Sequence, residues 1–346
     1  MSLRSRAERT QSDAFREAAT HGGRLVAAMT VYPDAPRPWI DLSTGINPDP
    51  WKGPHASMAQ LVRLPDPVQI AQLEATAAHA FGVPDPSRVV ATAGAEAGLR
   101  QLPRLVAADD IDIVSPTYSG HEAAWRAANV RVYEVTPDKL RSSTADAAVL
   151  VNPNNPDGLA APRAELAAIV EARTACRRWT IVDESFVETQ PELSIADHAS
   201  DRLIVLRSFG KFYGLAGVRL GFVIAPPEIA RRLRVVQGEW PVSAQAVMMG
   251  AKAYADDDWR TRTHAQLIIR ASEYDDLLTA RGLQVVGGTS LFRLVSVSDA
   301  ASIFGALCGA GVLVRPFAQR EDWLRFGLPR RRDVGRLGIA LRRVMR

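Results

Sequence analysis

At 346 residues, 47% hydrophobic and 23% charged, the chain has an ordinary globular composition and enough length for two domains. A formal net charge of +4, with no aromatics interleaved among the C-terminal arginines, argues against a nucleic-acid partner. The longest apolar runs, Ala147 to Val151 and Leu203 to Leu206, are too short to cross a bilayer, and the N-terminus lacks the apolar stretch of a signal peptide. No membrane partner and a cytoplasmic location are therefore expected.

The first 35 or so residues carry no strong strand signal, and Pro33, Pro36 and Pro38 mark an irregular connection into the body of the chain. From residue 88 onward, β-rich runs alternate with helix-like stretches. Strands are predicted at Arg88–Thr92, Ile111–Ser115, Arg131–Val135, Ala147–Asn152, Trp179–Asp183, Leu203–Arg207 and Leu220–Ala225, with helices at Glu96–Ala107 and Arg163–Arg178. Continuous apolar strands separated by helices imply an α/β fold with a mostly parallel sheet covered on both faces. Ligands of such sheets sit at the carboxyl ends of the strands.

Beyond Pro226 the pattern changes. A long helical region over Ser243–Arg281 leads to strands at Gln284–Val286, Ser290–Val297, Val312–Arg315 and Leu324–Gly327, with a helix at Ala300–Cys308. That reads as a smaller α+β domain, against which the N-terminal segment is expected to pack. The expected division is a large domain over 39–235 and a small one formed by 1–38 with 236–346. Cys176 and Cys308 lie far apart and form no CxxC or Cys/His cluster, so neither a disulfide nor a metal site is expected.

Four segments carry chemistry. The first, Ser208-Phe-Gly-Lys211 running on to Arg219-Leu-Gly221, comes after a strand and places one lysine between a hydroxyl and an arginine, among glycines that let backbone approach a ligand closely. Apolar surroundings favour the neutral amine that imine formation requires. The second, Val90 to Glu96, is a strand, a glycine turn and a helix start; the free amides and dipole of a helix N-terminus suit an anion. The third, Asn152-Pro-Asn-Asn155-Pro-Asp-Gly158, is on composition a strong turn. The fourth ends a buried strand with Asp183, where a sheet of this class binds ligands.

Together these segments resemble the signature of the aspartate aminotransferase superfamily of pyridoxal 5'-phosphate (PLP) enzymes, fold type I. The resemblance implies that Lys211 carries the cofactor, that Ser208, Arg219 and the backbone of Gly94, Ala95 and Glu96 hold its phosphate, and that Asn155 bonds the ring hydroxyl oxygen. It further implies that Asp183 pairs with the pyridinium nitrogen and that Tyr118, in Ser-Pro-Thr-Tyr, stacks on the ring. Asp157 stands where the family has threonine, and Phe186 where many relatives have tyrosine. A homodimer is implied as well, because fold-type-I sites are built at subunit interfaces.

The cofactor motifs do not choose the reaction; substrate-side residues bear on that. Arg325 matches the superfamily's carboxylate-binding arginine, and Arg315 lies where phosphate-handling relatives place a substrate-facing one. His21-Gly-Gly-Arg24, with Asp41-Leu-Ser-Thr-Gly45-Ile-Asn47-Pro after it, looks like the opening of threonine-phosphate decarboxylases of cobalamin synthesis. That likeness implies that His21 meets a substrate phosphate, with Gly45 also substrate-facing where some relatives have asparagine. The stretch Arg63-Leu64-Pro-Asp-Pro lacks the tyrosine that many relatives reach across the dimer to the cofactor phosphate. The expected substrate is a small phosphorylated amino acid, L-threonine O-3-phosphate. An aminotransferase acting on a substrate such as histidinol phosphate is the alternative within enzymes, and a PLP-binding regulatory protein the alternative outside them.

Overall fold

The computed structural model describes residues 15–16 and 21–345. Among these, thirteen strands run in chain order: β1 (Ile40–Asp41), β2 (Val89–Thr92), β3 (Asp110–Val114), β4 (Arg131–Val135), β5 (Ala147–Val151), β6 (Trp179–Asp183), β7 (Leu203–Ser208), β8 (Gly221–Ile224), β9 (Gln284–Thr289), β10 (Phe292–Ser296), β11 (Val312–Leu313), β12 (Arg315–Phe317) and β13 (Arg320–Gly327). The chain divides into two units, Pro50–His264 and Met1–Asp49 with Ala265–Arg346.

The larger unit holds a seven-stranded sheet in the order β2-β8-β7-β6-β5-β3-β4. β8 runs antiparallel to both neighbours, and the other pairings are parallel. Every residue of β5, β6 and β7 is buried, as their unbroken apolar runs demand of strands covered on both faces. Leu99, Leu102, Trp125, Val149, Ile181 and Ile204 form part of the shared core; each aliphatic side chain buried there contributes about 1.5–3 kcal/mol. Register fixes the site: Val151 lies opposite Asp183, and Asp183 opposite Leu206. The chain exits after β5, β6 and β7 therefore emerge along one edge.

Helix boundaries obey local chemistry. Pro67–Phe81 starts where the Asp66 carboxylate accepts the Val68 N–H at 2.8 Å and stops at Gly82 with φ +71°. The expected Arg163–Arg178 helix ends at Ala175, because Arg177 adopts φ +59°. The expected Ser243–Arg281 region is two helices, Ala244–Tyr254 and Asp257–Thr279. They part where Asp256 accepts the Trp259 N–H at 3.1 Å.

Two contacts move the unit boundaries from those expected. Ile40 and Asp41 pair with Val312 and Leu313, drawing residues up to 49 into the smaller unit, and Ala244–Tyr254 packs on Pro67–Phe81, keeping residues up to 264 in the larger one.

One residue from Asp183 and Ser208, a buried ionic cluster braces the sheet edge. Arg207 reaches Glu184 and Glu188, both at 2.9 Å, and Glu184 also accepts the Ser194 hydroxyl and the Ile195 N–H at 2.7 Å. Burial pushes the Glu184 carboxyl up, against the pull of Arg207 and these hydrogen bonds.

The smaller unit pairs β1 with β11 in parallel and carries an antiparallel sheet in the order β12-β13-β10-β9. The strand expected over Val312–Arg315 is split at Val314 between those two sheets. Helix Ala300–Gly309 begins where Asp299 accepts the Ser302 N–H at 2.9 Å, and Phe304 meets Phe15 edge-on at 5.6 Å. Among the described residues no helix is long and apolar enough to cross a membrane.

Candidate active site

At the carboxyl edge of the seven-stranded sheet lies a cavity of about 280 Å³. Gly94, Ala95, Glu96, Tyr118, Asn155, Asp183, Ser208, Lys211 and Arg219 all line it. They come from five separate chain exits, after β2, β3, β5, β6 and β7, so the sheet register assembles them.

One end of the cavity is an anion cradle. Helix Ala95–Leu105 begins there, and the first-turn amides of any helix lack intrahelical acceptors. Gly94 takes φ +90°, and a Cβ on it would stand 2.7 Å from Arg219 Nη2. Arg219 itself adopts the left-handed conformation, φ +57°, with Nη1 donating to the Ala216 carbonyl at 3.2 Å. Gly221 is required because a Cβ there would lie 2.2 Å from the Ala95 nitrogen. Glycine on both sides thus lets a guanidinium, a helix N-terminus and the Ser208 hydroxyl converge.

Asp183, the last residue of β6 and 4% exposed, also lines the cavity. Burial raises its carboxyl, but a hydrogen bond and charge from His121, with the Ser185 N–H, outweigh that and hold it below the usual carboxylate range. The His121 Nε2 lies 2.9 Å from Asp183 Oδ2, and the Ser185 N–H donates to Oδ1 at 2.9 Å. Lining the same cavity is the half-buried Lys211, whose Nζ lies 5.5 Å from the Phe186 ring centre. A nucleophilic amine, an ionised carboxylate and an anion cradle suit a phosphorylated heteroaromatic aldehyde.

Sequence reasoning missed His121. Its signal is the interval from Tyr118: three residues into helix Ser119–Ala127 is roughly one turn, which brings both side chains to the same side of the helix. Their rings meet edge-on at 6.2 Å. Glu96 has a second role besides its backbone, since its carboxylate accepts the Tyr118 hydroxyl at 3.0 Å. The ring can fold back there only because residue 120 is glycine; a Cβ would stand 2.3 Å from it. Asp157 closes its own loop, accepting Asn154 Nδ2 at 2.8 Å and the Leu159 N–H at 3.0 Å. The turn therefore keeps its hydrogen bonds without the family's threonine.

His21, Gly45, Arg315 and Arg325 belong to the smaller unit. Arg315 and Arg325 are direct cross-strand partners on β12 and β13. Arg325 donates to the Ser43 carbonyl at 3.1 Å, and burial together with the charge of Arg315 pushes its guanidinium down to about 9. Two like charges held side by side make this face attractive to an anion.

Residues 37–337 match the family described as aminotransferase class I and II. The chain belongs to this family. A threonine-phosphate decarboxylase of Sinorhizobium sp is 37% identical over 328 residues, 94% of this chain and 98% of that relative. Its counterpart in Pseudomonas aeruginosa is 35% identical over 313 residues, 89% and 92%. Among solved structures, the histidinol-phosphate aminotransferase from Sinorhizobium meliloti in complex with pyridoxal-5'-phosphate superposes with a TM-score of 0.73 at 21% identity, covering 83% of this chain and 84% of its own. The mostly parallel sheet of one unit and the smaller α+β unit are the fold-type-I architecture of this family.

Proposed function

We propose that the chain binds PLP in this cavity and decarboxylates L-threonine O-3-phosphate to 1-amino-2-propanol phosphate and carbon dioxide, supplying the aminopropanol linker of cobalamin. The observation that carries the reading is the convergence of Lys211, Asp183 and the Gly94–Arg219 cradle on one cavity. The chain's likeness to two threonine-phosphate decarboxylases along nearly their full length selects the reaction. The His21-Gly22-Gly23 opening also favours it over transamination of histidinol phosphate.

The residues fit the cofactor. Gly94 leaves open the space that a Cβ would take from Arg219, so the amides of Ala95 and Glu96, the Ser208 hydroxyl and Arg219 would hold its phosphate. Asn155 would take the ring hydroxyl oxygen, and Tyr118 would cover a ring face. When bound, PLP supplies an electron sink for the pair left behind when a bond at the substrate Cα breaks. Asp183, held below the usual carboxylate range, would keep a proton at the ring nitrogen. Arg325 and Arg315, with His21, would hold the substrate's carboxylate and phosphate so that the Cα–carboxylate bond is the one presented for cleavage. Lys211 would anchor the cofactor covalently and then return a proton to the substrate Cα. The working unit is a cytoplasmic homodimer.

Incubation with L-threonine O-3-phosphate tests the reaction. Carbon dioxide release with no 2-oxo acid present is expected. Turnover that depends on 2-oxoglutarate, or preferential use of L-histidinol phosphate, would overturn the decarboxylase reading.

Gly94→Ala tests the cradle. The left-handed backbone and the approach to Arg219 are expected to cost about 1–3 kcal/mol and to weaken PLP binding roughly tenfold. Fluorescence titration of the apoprotein and thermal denaturation read both effects.

A further inference from the structure

Ser43 joins three segments of the smaller unit. Its N–H and hydroxyl both donate to Asp41 Oδ1, at 2.9 and 2.6 Å. Its hydroxyl oxygen accepts the Gly23 N–H at 2.8 Å, and its carbonyl accepts Arg325 Nη2 at 3.1 Å. With 2% of its surface exposed, it makes these bonds out of water's reach, where losing a partner is costly. The glycines opposite it are dictated by the contact. A Cβ on Gly22 would stand 2.3 Å from the Ser43 carbonyl oxygen, and Gly23 takes φ +78°. At the far side, the Gly327 N–H donates to the Leu42 carbonyl at 2.7 Å, and a Cβ at 327 would meet the Thr44 carbonyl oxygen at 2.3 Å. The turn carrying His21 and the strand carrying Arg325 are thus fastened to the same three-residue stretch.

We infer that Ser43 is a positioning residue: its hydroxyl latches the His21-Gly22-Gly23 turn at a set distance from Arg325, so that the two side chains select an amino acid bearing a second anion. The inference rests on the reading that His21 and Arg325 receive the substrate's phosphate and carboxylate. The division of labour within Ser43 makes it testable. Alanine at 43 deletes the bond to Gly23 yet keeps the backbone carbonyl that anchors Arg325. The phosphate side is then loosened while the carboxylate side stays in place. Neither Ser43 nor Gly23 lines the cofactor cavity.

The PLP-loaded enzyme is compared as wild type, Ser43→Ala, His21→Ala and the double variant. Gly23→Ala approaches the same contact from the turn. Amide hydrogen exchange at residues 22–24 without substrate is expected to speed up in Ser43→Ala and Gly23→Ala. The KM for L-threonine O-3-phosphate should rise roughly tenfold, the scale of one buried hydrogen bond, while inhibition by unphosphorylated L-threonine stays unchanged. Ser43→Ala should add nothing in the His21→Ala background. Unaltered exchange, an equal loss toward both ligands, or multiplying effects of the two variants would overturn the latch. A wild-type KM in His21→Ala, with faster exchange still seen in Ser43→Ala, would instead overturn the phosphate role proposed for His21 and the selectivity built on it.

Discussion

Lys211→Ala is expected to abolish covalent cofactor attachment and to lower turnover roughly a thousandfold or more, the combined scale of losing a nucleophile and a proton donor, while the chain still folds. Lys211 sits in the short helix Phe209–Phe212 directly after β7, and the packing there falls to its neighbours. Phe209 and Phe212 are buried, Phe209 stacks on Tyr213 at 4.7 Å, and Tyr213 stacks on Trp259 at 5.4 Å. The lysine stem borders a cavity, so truncating it opens no void in the core. Visible absorbance of bound PLP, circular dichroism and steady-state turnover separate the two effects. Loss of the folded signal together with activity would show that Lys211 is structural.

Asp183→Asn is expected to lower turnover about a hundred- to a thousandfold, as removal of one preorganised charge from a catalytic centre typically does, with little change in stability at neutral pH. Asparagine keeps one oxygen to accept the Ser185 N–H, and its amide can donate to His121 Nε2 in the tautomer that carries the ring proton on Nδ1, so a partner remains for each contact. What disappears is the charge proposed to keep a proton on the pyridine nitrogen. The pH dependence has a definite sign. A carboxyl held below its unfolded value near 3.9 contributes stability above that pH and loses it as pH falls through the lower, folded value. Wild type should therefore lose more stability than Asp183→Asn on acidification below about pH 4. Thermal melts across that range, beside turnover at neutral pH, check both halves. A large fall in neutral-pH stability with modest loss of turnover would make Asp183 a structural residue.

What could be read from the sequence was what is local. The apolar runs that end at Val151, Asp183 and Ser208 announce strands buried on both faces, and the last residue of each lines the site. Lys211 and Arg219 share one loop, and Gly94 announces its turn. His121 escaped notice because its bond to Asp183 spans 62 residues and depends on the register of β3 and β6 in a sheet that only folding assembles. The same holds for Ser43, whose importance comes from Gly23 and Arg325, partners 20 and 282 residues away. The unit boundaries depended on two long-range packings, β1 on β11 and Ala244–Tyr254 on Pro67–Phe81, and a change of composition at Pro226 does not encode either. The second helix of the Ser243–Arg281 stretch did have a local signal, the capping carboxylate of Asp256 inside an otherwise continuous helical pattern.

The chain has four lysines, Lys52, Lys139, Lys211 and Lys252, and Lys211 lines the cavity. Borohydride reduction of the PLP-loaded enzyme, with proteolysis and mass mapping after it, makes the link permanent and locates it. The pyridoxyl group should be found on the peptide containing Ser208 to Arg219, at Lys211. Its recovery on any of the other three lysines, or on none, would contradict the account.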